Sequence, residues 1–182
     1  MNLYEVAGVK FIRRFWTSDL HWVEGPWPGK LALAPCPRGG ESLRDEIANW
    51  RREGVKTVVS LLTPAEEGVL DLAHENRETQ AQGMTFRSFP IPDFQVPDSE
   101  KGLARVLENL DNELASGTNV VLHCRGGIGR TGLVAACLFV TKGLEAEAAV
   151  QRLSAARGIP VPQTNEQRRW IDHFASIFAN LK

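Results

Sequence analysis

A cysteine and an arginine stand six residues apart in a glycine-rich segment, HCRGGIGRTG, at residues 123–132. The glycines allow backbone conformations that other residues avoid, so successive amide groups can point towards one centre. Such a ring of N–H groups binds anions, and a helix that begins there adds the positive end of its dipole. The segment therefore predicts a loop that surrounds a phosphate dianion. Its predicted phosphate-binding residues are Arg125, Gly126, Gly127, Ile128, Gly129 and Arg130.

The side chains of this segment predict covalent phosphoryl transfer. A free thiol has a pKa of about 8.5, but surrounding amides, a helix N-terminus and an arginine favour the thiolate, so Cys124 is the candidate nucleophile. Arg130 offers a planar fork that can hold two phosphoryl oxygens and that stays charged. Thr131 could donate its hydroxyl to the sulfur as it leaves in the second step. His123 could hydrogen-bond the backbone around the cysteine and help to hold it as the thiolate.

Strands alternate with helices along the chain, which predicts an α/β fold with a central, mostly parallel, twisted sheet and helices on both faces. Short apolar runs predict strands at Val55–Leu62, Met84–Phe89 and Asn119–His123. The run Leu133–Val140 is apolar on every side and predicts a buried helix. Ligands of such folds bind at the carboxyl ends of strands, and the glycine-rich segment follows directly on Asn119–His123.

Capping residues mark the other predicted helices. Thr63, followed by a proline and by Glu66, predicts a capping box. Ser42 and Asp98 are further predicted N-caps. These helices are expected at about 42–53, 64–82, 98–116, 145–157 and 164–181.

Length and composition are those of one globular domain, with 182 residues, 43% hydrophobic and 24% charged. We expect residues 1–182 to form a single domain, with residues 1–35 as an integral N-terminal segment of strands and loops. A formal net charge of -1 gives no overall field that attracts nucleic acid or an anionic membrane. The N-terminus lacks the pattern of a signal peptide and no apolar run is long enough to cross a bilayer, so we expect a cytoplasmic monomer.

The three cysteines are scattered, which predicts neither a disulfide framework nor a metal site. No metal and no organic cofactor is expected. Cys137 lies in the apolar helix and is expected in the core, whereas Cys36 stands between two prolines and is expected in a loop. A disulfide of either residue with Cys124 under oxidation is left open. Surface or packing roles are expected for His21, His74 and His173.

HCRGGIGRTG resembles the HCxxGxGR(S/T)G signature of the protein tyrosine and dual-specificity phosphatases. Together with LALAPCPRGGESLRDEIANWRREGVKTVVSLLTPAEE and PIPDFQVPD, it resembles the kinase-associated dual-specificity phosphatases over most of residues 30–175. The resemblance implies a protein phosphatase that hydrolyses phosphotyrosine in a phosphorylated protein through a cysteinyl-phosphate. Phosphoserine and phosphothreonine stay open, because we find no counterpart of the tyrosine-rich loop that deepens the pocket of tyrosine-specific members.

The resemblance also implies a general acid, an aspartate on a mobile loop roughly thirty residues before the cysteine. Asp93 precedes Cys124 by 31 residues and follows the predicted strand Met84–Phe89 directly. Asp98 is the other candidate, but it is explained as the N-cap of the next helix. Asp93 is therefore the predicted general acid and base. The alternative, in which Asp93 only shapes the turn, stays open.

The segment QTNEQ at residues 163–167 resembles the QTxxQ segment of tyrosine phosphatases, whose glutamine helps to position the hydrolytic water. Gln163 is the corresponding candidate. Thr164 and Gln167 also form an ordinary capping box for the last helix, an explanation at least as good. Lipid phosphatases tend to carry lysines inside the phosphate loop, whereas this loop has Arg125 and Ile128, which favours a protein substrate.

Two other classes of function fit parts of the pattern. A rhodanese-like sulfurtransferase also uses a cysteine in an anion-binding loop, but the Thr-Gly after Arg130 and the upstream Asp93 favour a phosphatase. A phosphoprotein-binding pseudophosphatase is the non-enzymatic alternative. A protein that only binds phosphoproteins would not need Cys124 as a nucleophile, so the intact cysteine argues against this alternative.

Overall fold

The computed structural model describes residues 3–6, 9–12 and 19–180. Its strands are β1 (Leu3–Val6), β2 (Val9–Ile12), β3 (His21–Val23), β4 (Leu31–Pro35), β5 (Thr57–Ser60), β6 (Thr85–Ser88) and β7 (Val120–Cys124). Its α-helices are α1 (Leu43–Arg52), α2 (Pro64–Val69), α3 (Glu75–Ala81), α4 (Glu100–Ala115), α5 (Gly129–Thr141), α6 (Ala146–Arg157) and α7 (Asn165–Asn180). Leu181, predicted to lie in the last helix, is outside the described residues, as are parts of segment 1–35.

The central sheet has five strands in the order β3-β4-β7-β5-β6. Strands β4, β7, β5 and β6 run parallel, and β3 is antiparallel to β4 at one edge. This confirms the mostly parallel sheet predicted from the alternation of strands and helices. The strand β7 lies in the middle, where Pro35 pairs with Cys124 and Ser60 pairs with His123. The chain therefore leaves β7 for the glycine-rich loop at the carboxyl edge of the sheet, between two flanking strands.

Helices cover both faces of this sheet. One face carries α4, α5, α6 and α7 around a core that includes Leu122, Leu133, Phe139 and Ile171. The other carries α1 and α3 with Ile47, Trp50 and Leu72. Helix α5 is buried over almost its whole length, as its apolar sequence predicts. Among the described helices, none is both long and apolar enough to cross a bilayer.

The helix predicted over 64–82 is wrong, because the structure divides it into α2 and α3. Its start is confirmed, since Thr63 and Glu66 form the predicted capping box. After Val69 the chain turns, and Asp71 adopts a φ of 55°, which interrupts a right-handed helix. The turn places Leu72 in the core at 1% exposure. Burial of Leu72 therefore overrides the helical propensity of the segment.

Two of the predicted caps are also corrected. Ser99, rather than Asp98, is the N-cap of α4, and its hydroxyl accepts a hydrogen bond from the Gly102 N–H at 3.0 Å. Ser42 occupies the N-cap position of α1 but makes no capping bond with its side chain, because a 3-10 turn over Gly40–Ser42 leads directly into the helix. Helix α5 begins at Gly129, inside the glycine-rich segment, rather than at Leu133.

Candidate active site

Residues 124–130, from the last residue of β7 to the first turn of α5, are here called the anion loop. It lies directly against the backbone of β4. Gly127 has a φ of 66°, and a Cβ atom at this position would lie 2.4 Å from the carbonyl carbon and oxygen of Ala34. The N–H of Cys36 donates to the carbonyl oxygen of Arg125 at 3.2 Å. Only glycine fits at position 127, so the predicted glycine requirement has a direct steric cause there.

Arg157, the last residue of α6, holds the outer side of the anion loop. Its Nε donates to the carbonyl of Gly127 at 3.1 Å and its Nη2 to the carbonyl of Gly126 at 3.0 Å. The third nitrogen, Nη1, lies 3.0 Å from Nε2 of His21. Burial, and then the charge of Arg157, lower the pKa of His21, which favours a neutral ring that accepts this hydrogen bond. Because Arg157 holds the carbonyls of Gly126 and Gly127 on the outer side of the anion loop, the N–H groups of the loop can point inward.

Cys124 and Arg130 are both buried, at 3% and 1% exposure. Nη1 and Nη2 of Arg130 donate to the two carboxylate oxygens of Glu66 at 2.8 and 2.9 Å. Nη2 also donates to Oδ1 of Asp93 at 2.9 Å, and Nη1 to the carbonyl of Ile91 at 2.9 Å. Burial alone would lower the pKa of Arg130, but the hydrogen bonds that it donates to Glu66, and then the charge of Cys124, raise it on balance. The guanidinium is therefore rigidly oriented.

In the first turn of α5, which follows the loop from Cys124, two buried donors have no hydrogen-bond partner among the described residues: Nε of Arg130 and Oγ1 of Thr131. Helix α5 begins between them and the cysteine, and Ile128 at its N-cap makes no capping bond with its side chain. Buried donors are nearly always paired in folded proteins. Unpaired donors at a helix N-terminus are the arrangement that an anion satisfies.

Asp93 lies on the segment between β6 and α4, residues 89–98, here called the acid loop. The structure brings this predicted residue to Arg130, and its side chain is 32% exposed. The N–H of Phe94 donates to Oδ1 of Asp93 at 3.1 Å, and Phe94 itself has a φ of 61°. Asp98, the other candidate, lies exposed next to the N-cap of α4. Of the two aspartates, the structure places Asp93, the predicted general acid, in contact with Arg130.

Glu66 is a site residue that the sequence analysis identified only as a capping residue. It lies in the first turn of α2 and accepts from Arg130 with both carboxylate oxygens. Burial raises the pKa of Glu66, but the hydrogen bonds from Arg130 and Thr63 lower it below its usual value on balance. The sequence did hold one indication that Glu66 lies near the site. Helix α2 follows β5, whose carboxyl end lies at the same sheet edge as the anion loop. The contact itself joins residues 64 positions apart.

His123 has different neighbours from those expected. Neither ring nitrogen makes a hydrogen bond of good geometry among the described residues. Nε2 lies 2.9 Å from Oε1 of Glu75, and both side chains are buried. The ring also lies 5.7 Å from the ring of Trp50. His123 therefore faces α1 and α3, on the side of the sheet away from α5.

The QTNEQ segment lies over the anion loop. Gln163 is exposed, and its Cβ lies 3.2 Å from the position of a Cβ built on Gly129. Thr164 and Gln167 form the predicted capping pair, with the Gln167 N–H donating to Thr164 Oγ1 at 3.1 Å and the Thr164 N–H to Gln167 Oε1 at 3.2 Å.

All three cysteines are free. Cys137 is buried in α5, as predicted, and burial raises its pKa well above the usual value. Cys36 follows Pro35, the strand partner of Cys124, and is half-buried. Burial, and then the charges of Glu75 and Cys124, raise the pKa of Cys36 to about 11. Within the described part of the chain, no group of three or more His, Cys, Asp or Glu residues is arranged to hold a metal ion.

Comparisons with known proteins give consistent matches. Residues 34–144 match a family model described as the DSP-PTPase phosphatase of polymorphic toxin systems. Cyclin-dependent kinase inhibitor 3 of Sus scrofa is 32% identical over 162 residues, which cover 81% of this chain and 73% of that protein. Receptor-type tyrosine-protein phosphatase R of Rattus norvegicus is 34% identical over 95 residues, which cover 48% of this chain and 14% of that protein.

The fold is shared with solved phosphatase structures. A crystal structure of kinase-associated phosphatase, with its catalytic-site cysteine replaced by serine, superposes with a TM-score of 0.81 at 22% identity. The superposition covers 88% of this chain and 95% of the other. The matched family is a phosphatase family, which favours that interpretation over the sulfurtransferase alternative.

Proposed function

This chain belongs to the dual-specificity phosphatase family, and we propose that it hydrolyses phosphoproteins with Cys124 as nucleophile, Arg130 as phosphate clamp and Asp93 as general acid and base. The family membership makes it a protein tyrosine or dual-specificity phosphatase. The residue assignments are our proposal, and they rest on the contacts of the anion loop and the acid loop.

The observation that carries the assignment is the pair of unpaired buried donors in the first turn of α5. Arg130 Nε and Thr131 Oγ1 are removed from solvent, and a buried donor without a partner costs about 1–3 kcal/mol. A phosphoryl group on the Cys124 side of α5 would accept from Arg130 Nε and from the N-terminal amides of α5. Thr131 could then donate to the sulfur. A bound phosphate dianion would thus accept from buried donors that have no partner within the described part of the protein.

In the first proposed step, the Cys124 thiolate attacks phosphorus in line with the leaving group. The sulfur–phosphorus bond forms as the bond from phosphorus to the leaving oxygen breaks, and Asp93 gives its proton to that oxygen. The anion loop and Arg130 hold the equatorial oxygens, which carry the charge. Glu66 and Asp93 hold the guanidinium before substrate binds, so little reorganisation is required of it.

In the second step, water attacks the cysteinyl-phosphate. Asp93, now ionised, accepts the proton of the water, and the sulfur leaves as thiolate with inorganic phosphate as the product. A hydrogen bond from Thr131 would stabilise the departing sulfur. Gln163, exposed above Gly129, is our proposed contact for the attacking water.

The substrate is proposed to be a phosphorylated protein. Phe94, next to Asp93, is 54% exposed and offers an aromatic surface beside the site, which suits the ring of phosphotyrosine. The name of the pig relative refers to cyclin-dependent kinases, so phosphorylated protein kinases are the first partners to test. Turnover on matched phosphotyrosine and phosphothreonine peptides would measure the preference between them.

The decisive experiment is phosphate release from an aryl phosphate by the purified protein in chelator. We expect turnover, inhibition by vanadate, and loss of at least about 10⁴-fold in kcat for Cys124→Ser with the fold intact. Cys36→Ser is the matched control, because it removes the neighbouring thiol and should keep turnover. Full activity of Cys124→Ser would overturn the assignment.

A further inference from the structure

The side chain of Gln167 lies between the two loops of the proposed site. It is fully buried, in the first turn of α7. A Cβ built on Gly129 of the anion loop would lie 2.9 Å from its Oε1 and 3.1 Å from its Nε2. Its Nε2 donates to the carbonyl oxygen of Gln95 in the acid loop at 3.1 Å. One amide group therefore touches both loops.

Helix capping explains only one of the two hydrogen bonds that the Gln167 amide makes. Oε1 accepts from the Thr164 N–H, and a glutamate would accept the same bond, since capping boxes use Glu and Gln alike. The bond to Gln95 needs an N–H donor, which a carboxylate lacks. The choice of an amide at position 167 is therefore explained by the acid loop and not by the cap.

The acid loop has a clear need for this bond. Asp93 reaches Arg130 with its carboxylate, and the next residue, Phe94, is exposed and has a positive φ, a conformation that non-glycine residues adopt at a cost. The Gln95 N–H closes a turn on Pro92 within the loop itself. The bond from Gln167 ties this turn to a helix. It thus opposes relaxation of the strained backbone beside Asp93.

We propose that Gln167 is a positioning residue that holds the acid loop closed, so that Asp93 is placed for proton transfer to the leaving group. This inference rests on the proposed role of Asp93. Gln167 itself touches neither substrate nor reacting atoms. Its loss impairs the protonation of the leaving oxygen and leaves phosphate binding by the anion loop in place.

The test compares leaving groups. A phenolate that leaves readily, as from 4-nitrophenyl phosphate, needs little protonation, whereas phenyl phosphate depends on the general acid. In Gln167→Glu the cap acceptor is kept and the donor to Gln95 is lost. We expect kcat on phenyl phosphate to fall roughly tenfold more than kcat on 4-nitrophenyl phosphate. Gln167→Met, which is apolar and of similar length, should show the same selective loss if the buried glutamate prevents folding.

Two further variants distinguish a role of Gln167 in positioning the acid loop from a role in capping α7 alone. Thr164→Ala removes the cap partner but keeps the bond to Gln95, so it should lower Tm and leave the ratio between the two substrates unchanged. Asp93→Asn should show the same selective loss as Gln167→Glu, and a larger one. If Asp93→Asn shows the loss and both Gln167 variants keep the wild-type ratio, the positioning role is wrong. If Asp93→Asn keeps the ratio, the assignment of Asp93 fails and this inference fails with it.

Discussion

The anion loop and the acid loop meet at Arg130, but the protein holds them in different ways. The anion loop packs on β4, where Gly127 leaves no room for a side chain, and Arg157 binds two of its carbonyls. The acid loop is held at Ile91, which is fully buried and bonds Leu61 and Arg130. Beyond it, Phe94 is exposed in a strained conformation, and Gln95 is joined to α7 through the buried amide of Gln167. The comparison indicates that phosphate binding is built on a rigid frame, whereas proton transfer depends on residues 93–95, a more exposed part of the acid loop.

The two loops should therefore respond differently to substitution, in anion binding and in turnover. Changes in the anion loop and its supports should weaken both anion binding and turnover. Changes in the acid loop should spare anion binding and reduce turnover according to the leaving group.

Arg130→Lys should have the largest of the four effects that follow. Lysine keeps the charge but loses the planar fork, so both the bonds to Glu66 and the proposed bonds to phosphate are reduced. We expect kcat to fall by at least about 10³-fold, since each donor to a developing oxyanion contributes about 10²- to 10³-fold. Steady-state kinetics and calorimetric binding of tungstate would measure it. Turnover within tenfold of wild type would contradict the clamp.

Asp93→Asn should reduce kcat on phenyl phosphate by about 10²-fold, because the amide cannot protonate the leaving oxygen. Binding of inorganic phosphate should not weaken, because Glu66 still orients Arg130 and the variant removes a negative charge near the bound anion. Asp98→Asn is the matched control and should behave like wild type. A loss in Asp98→Asn without one in Asp93→Asn would reverse the assignment of the general acid.

Arg157→Met should weaken phosphate binding by about tenfold, because loss of charge-assisted hydrogen bonds frees the carbonyls of Gly126 and Gly127. The ratio of turnover on phenyl and 4-nitrophenyl phosphate should stay at the wild-type value. Arg152→Met is the control on the same helix, because Arg152 donates to the carbonyl of Glu24 and lies over Phe139, away from the loop. Equal losses in both variants would mean that α6 acts only through its stability.

Glu66→Gln should have the smallest effect, on the pH dependence of stability. The hydrogen bonds from Arg130 and Thr63, against the opposing effect of burial, lower the pKa of Glu66. The stability that this gives is present above the ordinary glutamate pKa of about 4.3 and is lost as pH falls through the lower pKa of the folded state. We expect the variant to be less stable by about 1–2 kcal/mol at pH 7 and nearly equal to wild type in acid. Urea unfolding at both pH values would measure it.

Glu67→Gln is the control, because the pKa of Glu67 is raised whereas that of Glu66 is lowered. Burial, and then the charge of Glu75, raise the pKa of Glu67, so its ionisation opposes folding as pH rises. The Glu67→Gln variant should be at least as stable as wild type at pH 7. A loss there equal to that of Glu66→Gln would mean that any carboxylate in the first turn of α2 stabilises the fold, and that the contact of Glu66 with Arg130 adds nothing.

The sequence predicted the parts of this site that depend on neighbours in the chain. The parallel sheet, the place of the glycine-rich segment between a strand and a helix, and the capping boxes at Thr63 and Thr164 follow from local patterns, and the structure confirms them. Phosphate binding by that segment stays a prediction. The long helix over 64–82 failed because propensity cannot show that Leu72 must enter the core. Ser99 replaced Asp98 as a cap because neighbouring residues of equal capping strength differ only in backbone conformation.

The contacts missed from the sequence join distant positions. Arg157 reaches the anion loop across about thirty residues, and Gln167 reaches Gln95 across 72. Each of these residues also has an ordinary local role, in a helix terminus or a cap. A single sequence therefore gave no reason to select them.

The surroundings of the three cysteines make the chain suited to selective chemical labelling. Alkylating reagents react with thiolates. Burial, helped by the charges of Glu75 and Cys124, raises the pKa of Cys36 to about 11, and Cys137 is sealed inside α5. At neutral pH both remain protonated and slow to react. A haloacetamide carrying a fluorophore would therefore spare both and mark Cys124, the thiolate of the proposed mechanism, in the unmodified protein. Phosphate would protect that position, so one reagent could count intact sites in a preparation.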